Sequence, residues 1–334
     1  MIEVRDLVKR YGDHCAVDRL SFTVEDGRVF GFLGPNGAGK STTMNMMTGY
    51  LAATEGQVVI EGHDILEEPE EARRCIGYLP EIPPLYPDMT VTEYLRFCAE
   101  LKKIPAAERR EQIEKAVTLT HLEDQAARLI RNLSKGYRQR VGLAQAILGF
   151  PKIIILDEPT VGLDPKQVVE IRELIRQLAV DHTVIISSHI LSEIRAVCDH
   201  VLIIRKGRLV ACDSPEALEE KLSAGGGLDV TLKCGREEAE DLLDGLAGVT
   251  DRAELETAAG AVRYALSAGE DVREALFFAC ARAGTPILEL RPRTASLEQA
   301  FLDLTDDDDT VAARAAALLN GGAEEGEADD ESSL

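Results

Sequence analysis

Residues 34–41 read Gly-Pro-Asn-Gly-Ala-Gly-Lys-Ser, a spacing of glycines, lysine and hydroxyl suited to the phosphates of a nucleoside triphosphate. Gly34, Gly37 and Gly39 let backbone N–H groups close around phosphate oxygens with no Cβ in the way, and Pro35, Asn36 and Ala38 complete the loop. Lys40 places a point charge on the β- and γ-phosphates. The Ser41 hydroxyl faces Mg²⁺, and Thr42 follows it in the same cofactor-binding run. A second reactive set ends the segment Ile153-Ile154-Ile155-Leu156-Asp157-Glu158-Pro159. It delivers two adjacent carboxylates at the C-terminal end of an apolar strand, where ligands of parallel sheets sit. Asp157 can hold the Mg²⁺ shell. Glu158 reaches past it to orient and deprotonate a water. General-base assistance is worth roughly 10²–10⁴ in rate, so Glu158 bears on hydrolysis more than on binding.

These groups need elements to hold them. The apolar run Val29 to Leu33 reads as a strand entering the glycine-rich loop, and Ser41 to Met47 as a helix whose N-terminal dipole points at the anion. Short strands are expected at Ile2 to Leu7, Leu20 to Val24 and Val58 to Ile60. Buried parallel strands with crossover helices are expected at Ile153 to Leu156, Thr183 to Ser187 and Val201 to Ile204. Between these groups, residues 82 to about 150 read as largely helical, with Thr92 capping Glu93 to Leu101. Residues 1–222 thus form an α/β domain, and the glycine-rich stretch 223–227 reads as a linker. Residues 228–304 follow a βαββαβ order that suits a small ferredoxin-like α+β unit, closed by a helix from Leu297 to Leu304. No catalytic constellation stands out within it.

The bulk composition narrows the function classes. At 334 residues the chain has room for two domains, and its 45% of apolar residues is a globular value. No apolar run approaches the roughly 18 residues of a membrane span, and the start lacks a signal-peptide core, so the chain is expected to be soluble and cytoplasmic. Seven scattered cysteines imply reduced thiols, and the histidines show no metal-site pairing. A net charge of −22 argues against non-specific contact with nucleic acid or anionic lipid. Residues 305–334 carry ten acidic side chains and one basic, and read as a disordered tail with a short helix at Val311 to Leu319.

Leu133-Ser134-Lys135-Gly136-Tyr137-Arg138-Gln139-Arg140, ahead of the acidic strand, resembles the LSGGQ signature of ABC ATPases. Val161-Gly162-Leu163-Asp164-Pro165 looks like the D-loop, Ser187-Ser188-His189 like the switch histidine, and Tyr11 like the aromatic residue that stacks on adenine. The motifs cover residues 1–222 in the family's order. The resemblance implies a P-loop cassette with a RecA-like core, an antiparallel β subdomain and an α-helical subdomain, using ATP and Mg²⁺. It implies head-to-tail pairing with a second copy or a paralogous cassette. Each ATP would then lie between the phosphate loop of one subunit and Ser134 and Gly136 of the other, with Asp164 of the D-loop also among the nucleotide-binding residues. His189 would contact the γ-phosphate and keep Glu158 and water aligned. Two positions depart from the family pattern. Glu81 replaces the usual glutamine; it can still ligate Mg²⁺ but adds negative charge near the phosphates. Lys135 and Tyr137 replace a glycine and a glutamine in the signature.

The forms Tyr-Leu-Pro-Glu at 78–81 and Leu-Ser-Lys-Gly-Tyr-Arg-Gln-Arg at 133–140, with the closing segment 295–305, look like cassettes paired with separate six-helix permeases of the type-two exporter group. That resemblance implies export. It also implies a permease facing the Glu81 to Tyr86 loop, and a position on the inner face of the cell membrane. The competing class is a soluble ABC-type ATPase acting on nucleic acid or ribosomes. Such proteins usually carry two cassettes, a long coiled-coil insertion or basic extensions, whereas this chain has one cassette and an acidic tail.

Overall fold

The computed structural model describes residues 1–224, 227–258, 260–268, 271–293 and 297–305, together with 316, 317 and 319. It divides into two compact units, Met1–Ser214 and Pro215–Leu334. The first unit begins with β1 (Ile2–Tyr11), β2 (His14–Val24), β3 (Val29–Leu33), α1 (Lys40–Met47), β4 (Glu55–Ile60), β5 (His63–Asp64), α2 (Pro69–Arg74) and β6 (Ile76–Leu79). It continues through α3 (Val91–Leu101), α4 (Ala106–Leu119), α5 (Lys135–Ile147), β7 (Ile153–Leu156), α6 (Pro165–Leu178), β8 (Thr183–Ser188), α7 (Leu191–Val197), β9 (His200–Arg205) and β10 (Arg208–Asp213).

One sheet has the order β2-β1-β4-β5 with antiparallel pairs, and a second has the order β10-β9-β3-β8-β7-β6. Strands β9, β3, β8, β7 and β6 pair in parallel, and only β10 joins this sheet antiparallel. Every residue of β3, β7 and β8 is buried, so these strands read as unbroken rather than alternating segments, with Thr183, Ser187 and Ser188 of β8 the buried hydroxyls among them. The parallel run brings the C-terminal ends of β3, β8, β7 and β6 to one edge. Four loops leave that edge side by side, and they carry the phosphate loop, His189, the acidic pair and Glu81. The two sheets share a core that includes Leu7, Leu20, Phe32, Met44, Ile155 and Ile185. Phe22 meets Phe32 edge-on at 5.2 Å within it.

The helical segment between β6 and β7 consists of α3, α4 and α5 with irregular stretches and short 3-10 turns between them. Its first helix starts earlier than expected. Thr90, not Thr92, is the N-cap of α3: its hydroxyl accepts the Glu93 N–H at 3.3 Å, and the Glu93 carboxylate accepts the Thr90 N–H at 2.8 Å. A capping box needs its hydroxyl three residues ahead of the glutamate, and only Thr90 meets that spacing. The Thr92 hydroxyl donates instead to the Ala126 carbonyl at 2.9 Å.

The second unit contains α8 (Pro215–Ala224), β11 (Gly227–Leu232), α9 (Arg236–Asp244), β12 (Val249–Ala258), β13 (Ala261–Ala268), α10 (Arg273–Ala283), β14 (Ile287–Arg293) and α11 (Leu297–Thr305). Its strands form an antiparallel sheet in the order β12-β13-β11-β14. Val230, Leu232, Leu243, Tyr264, Leu266 and Leu276 are buried in its core. The division at Ser214 falls ahead of the expected domain end at residue 222, because α8 carries the fully buried Leu218 and packs against α11. Ser223 and Ala224 close α8 and Gly227 opens β11, so of the expected linker 223–227 only residues 225 and 226 lie outside these elements and outside the described residues. The tail expected to be disordered, with its short helix, lies outside the described residues apart from 305, 316, 317 and 319. Among the described residues, no helix is long and apolar enough to cross a membrane.

Candidate nucleotide site

The phosphate loop leaves β3 at Leu33 and enters α1 through Gly39, the helix N-cap. Gly39 has φ +102°, and a Cβ there would stand 2.6 Å from the Ala16 carbonyl. Gly34 is required for a reason other than phosphate access: its Cβ would lie 2.4 Å from the Ile204 carbonyl of β9. That glycine lets the loop lie close on the sheet. Lys40 is only 6% exposed. Its ammonium donates to the Gly34 and Pro35 carbonyls at 2.7 and 3.2 Å and lies 3.5 Å from Glu158 Oε1. The loop thus curls around its own cation, and a buried cation at a helix N-terminus attracts an anion.

The acidic pair is held by serine hydroxyls. Asp157 Oδ1 accepts from Ser41 Oγ at 3.2 Å and from Ser187 Oγ at 2.5 Å. Ser187 Oγ in turn accepts the Glu158 N–H at 2.8 Å. Sequence reasoning placed Ser187 beside the switch histidine but gave it no role. The available signal was a hydroxyl closing the otherwise apolar run of β8. Glu158 adopts φ +47°, a left-handed conformation that costs a non-glycine residue about 1–3 kcal/mol. That turn sends its carboxylate back over the sheet edge, where Oε1 faces Lys40 and Oε2 lies 3.0 Å from His189 Nδ1. Glu158 is 7% exposed yet borders the open cleft, so it can reach a water held there.

A cleft of about 440 Å³ collects Tyr11, Asn36, Gly37, Gly39, Lys40, Ser41, Thr42, Glu81, Glu158 and His189 from the sequence-derived set. His14, Ala16 and Val161 line it as well and were not foreseen; His14 opens the strand that follows Tyr11 across a tight turn. Tyr11 lines the cleft and is 51% exposed, with the Lys9 ammonium 5.3 Å from its ring centroid, and an aromatic ring there suits stacking on a flat base. Gly34, Pro35, Ala38 and Asp157 do not line the cleft; Gly34 and Pro35 hold Lys40, and the buried Asp157 holds Ser41. The hydroxyl of Ser41 and the carboxylates of Asp157 and Glu81 are hard oxygen donors, the chemistry that suits Mg²⁺.

Ser134, Gly136 and Asp164 are not brought to this cleft. Ser134 caps α5 and accepts the Tyr137 N–H at 3.4 Å. Asp164 caps α6 and accepts the Gln167 N–H at 2.9 Å. A Cβ on Gly136 would lie 2.6 Å from the Gln167 amide, and one on Gly162 would lie 2.0 Å from Lys135 Nζ. The signature and the D-loop therefore pack against each other, and Lys135 rests on Gly162 rather than beside the phosphate loop.

Comparison with known proteins places this architecture. Residues 17–161 match the family model described as ABC transporter. The Nod factor export ATP-binding protein I of Cupriavidus metallidurans is 33% identical over 306 residues, covering 91% of this chain and 97% of the relative. The chain belongs to the ABC transporter ATP-binding family. The bacitracin transport ATP-binding protein BcrA of Bacillus licheniformis is 41% identical to this cassette over 212 residues, which is 63% of this chain and 68% of the relative. A solved ATP-binding subunit of an ABC transporter superposes with a TM-score of 0.61 at 30% identity, covering 66% of this chain and 92% of the other. A dimeric ATP-binding cassette solved in a post-hydrolysis state with ADP and Pi superposes with a TM-score of 0.59 at 26% identity, covering 64% and 98%. The cassette is an ATP-binding subunit of the ABC transporter type, and these likenesses favour that reading over a factor acting on nucleic acid or ribosomes.

Proposed function

We propose that this cassette hydrolyses Mg-ATP to drive a separate membrane permease in export, and that it works as a head-to-tail pair with a second copy or a paralogous cassette. The observation that carries this reading is the convergence of Lys40, Ser41, Glu158 and His189 on one cleft, with Asp157 behind Ser41. In this reading Tyr11 stacks on adenine. The loop from Gly34 to Thr42 wraps the phosphates, and Ser41, Asp157 and Glu81 hold Mg²⁺, which would neutralise phosphate charge. Glu158 takes the proton of the attacking water, and His189 orients both Glu158 and the γ-phosphate.

The packing of Ser134 and Gly136 away from the cleft supports a role on the partner's nucleotide. An isologous pair then has two equal composite sites. The relatives named for bacitracin transport, Nod factor export and linearmycin resistance support an export role. That role would place the subunit on the inner face of the cell membrane. We assign the cassette to the first unit, Met1–Ser214, and read residues 228–304 as an accessory ferredoxin-like domain, which the sheet order β12-β13-β11-β14 supports.

A groove of about 470 Å³ beside the cleft joins the apolar Ile82, Pro83 and Leu85 to the charged Glu81, Arg131, Lys135 and Arg138, and we read it as the permease surface. Tyr86, 51% exposed next to this groove, is the test position. Tyr86→Asp is expected to keep ATP affinity within twofold while abolishing co-purification with the permease and export. Normal pull-down and normal export would remove the docking assignment.

A further inference from the structure

A buried carboxylate lies behind the cleft, outside the groups that line it. Glu193 sits in the first turn of α7 and is 9% exposed. Its Oε2 accepts from Thr160 Oγ1 at 2.6 Å and from Ser188 Oγ at 3.1 Å. Its Oε1 stands 4.0 Å from Arg172 Nη2 of α6. Burying a carboxylate is costly unless it is paired and hydrogen-bonded, and a residue needed only for packing would not be charged.

The two hydroxyls belong to the two segments that must agree for hydrolysis. Thr160 lies two residues after Glu158, in the loop leaving β7. Ser188 ends β8 immediately before His189, and its Oγ also accepts the Ile190 N–H at 3.0 Å, fixing the backbone on both sides of the histidine. One carboxylate oxygen therefore ties the loop from one strand to the turn from its neighbour. The 3.0 Å approach of His189 Nδ1 to Glu158 Oε2 is made across that same gap. The hydroxyls of β8 divide the work: Ser187 holds Asp157 and the Glu158 backbone, and Ser188 reaches Glu193.

We propose that Glu193 is a positioning residue for hydrolysis, keeping His189 in register with Glu158 by fastening Thr160 and Ser188 to a single oxygen. The proposal rests on the reading of Glu158 and His189 as the hydrolytic pair. Glu193 touches none of Tyr11, Lys40 or Ser41, so its loss impairs turnover and spares nucleotide binding.

The test is steady-state ATPase kinetics on the full chain with Mg-ATP. Glu193→Ala is expected to lower kcat about tenfold or more with KM for ATP within twofold. Glu193→Gln keeps an oxygen that both hydroxyls can reach and is expected to restore most of kcat. Thr160→Val is expected to lower kcat alone, and the double variant Thr160→Val with Glu193→Ala to be no slower than the worse single variant. A wild-type kcat in Glu193→Ala, a parallel change in kcat and KM, or multiplying losses in the double variant would overturn the proposal. Should Glu193→Ala fail to fold, Thr160→Val and Ser188→Ala carry the test, and wild-type kcat in both would overturn it. Glu158→Gln is the control: if it turned over ATP, the base assignment would fail and this proposal with it, a failure that this control alone reveals.

Discussion

The phosphate-loop edge and the signature helix of the first unit use their polar groups in opposite ways. At the edge, Lys40, Glu158 and His189 face one another across an open cleft, and the serine hydroxyls behind them are spent on keeping the carboxylates aimed. At the helix, Ser134 and Asp164 act as caps, and Lys135 and Gly136 pack on Gly162 and Gln167. The first region is a chemical site already assembled. The second is a rigid surface with a helix N-terminus and no partner for it in the same cleft. On the proposed reading, one chain holds the catalytic half of a site together with a clamp for another chain's nucleotide.

The sharpest contrast between the halves comes from Glu158→Gln. It removes the base and leaves the clamp intact. We expect turnover to fall by about 10²–10⁴ while ATP affinity persists, so that ATP traps a dimer resolvable by size-exclusion chromatography. A variant that turned over at the wild-type rate would remove the catalytic half from the comparison. Next in size is Tyr11→Ala. Losing one aromatic stack costs about 0.5–1.5 kcal/mol, which should weaken ATP binding to the isolated chain by roughly threefold to tenfold. Ser134→Ala should leave that isolated-chain affinity unchanged, since Ser134 lies outside the cleft. Equal losses from the two substitutions would erase the distinction between the regions.

The last contrast concerns the far end of the signature helix. Lys102 donates to the Ala146 and Leu148 carbonyls at 3.0 and 2.6 Å, fastening the C-terminus of α5 to α3. Burial pushes its ammonium down to about 8 from 10.5. The unfolded chain therefore binds more protons at Lys102 than the folded chain between pH 8 and 10.5. The cost of burying the charge is full below pH 8 and is relieved as pH rises through that window. Denaturant midpoints of wild type measured against Lys102→Met should show an extra upward slope in wild type from pH 8 to 10.5. Parallel lines would mean the ammonium is not held as described.

Much of this was legible in the chain because the strands near the site are apolar on both faces. The segments around β3, β7 and β8 stand out as short unbroken runs for that reason, and the groups that follow them fall on one edge once the pairing is parallel. Roles set by three-dimensional approach were not legible. Gly34 reads as a phosphate-binding glycine, yet the Ile204 carbonyl, far away in sequence, is what excludes a side chain there. Ser187 reads as the end of a strand, and its tie to Asp157 depends on β7 lying beside β8. The cap reads as Thr92 in the sequence analysis, although the Thr90-x-x-Glu93 spacing of a capping box is there to be read, and the Glu93 side chain closes it on Thr90. The span 223–227 reads as a glycine linker, but its flanks are drawn into α8 and β11 by the core of the second unit.

The most direct test mixes two inactive proteins. A Lys40→Ala chain cannot hold ATP at its own cleft, and a Ser134→Glu chain presents a repelling charge in its clamp, so each alone forms only broken sites. A pair made of one of each holds one site broken twice and one site wholly intact. ATPase activity is predicted to reappear on mixing, at roughly a quarter of the wild-type rate if chains pair at random and each intact site works alone. A mixture no more active than its components would contradict the shared site.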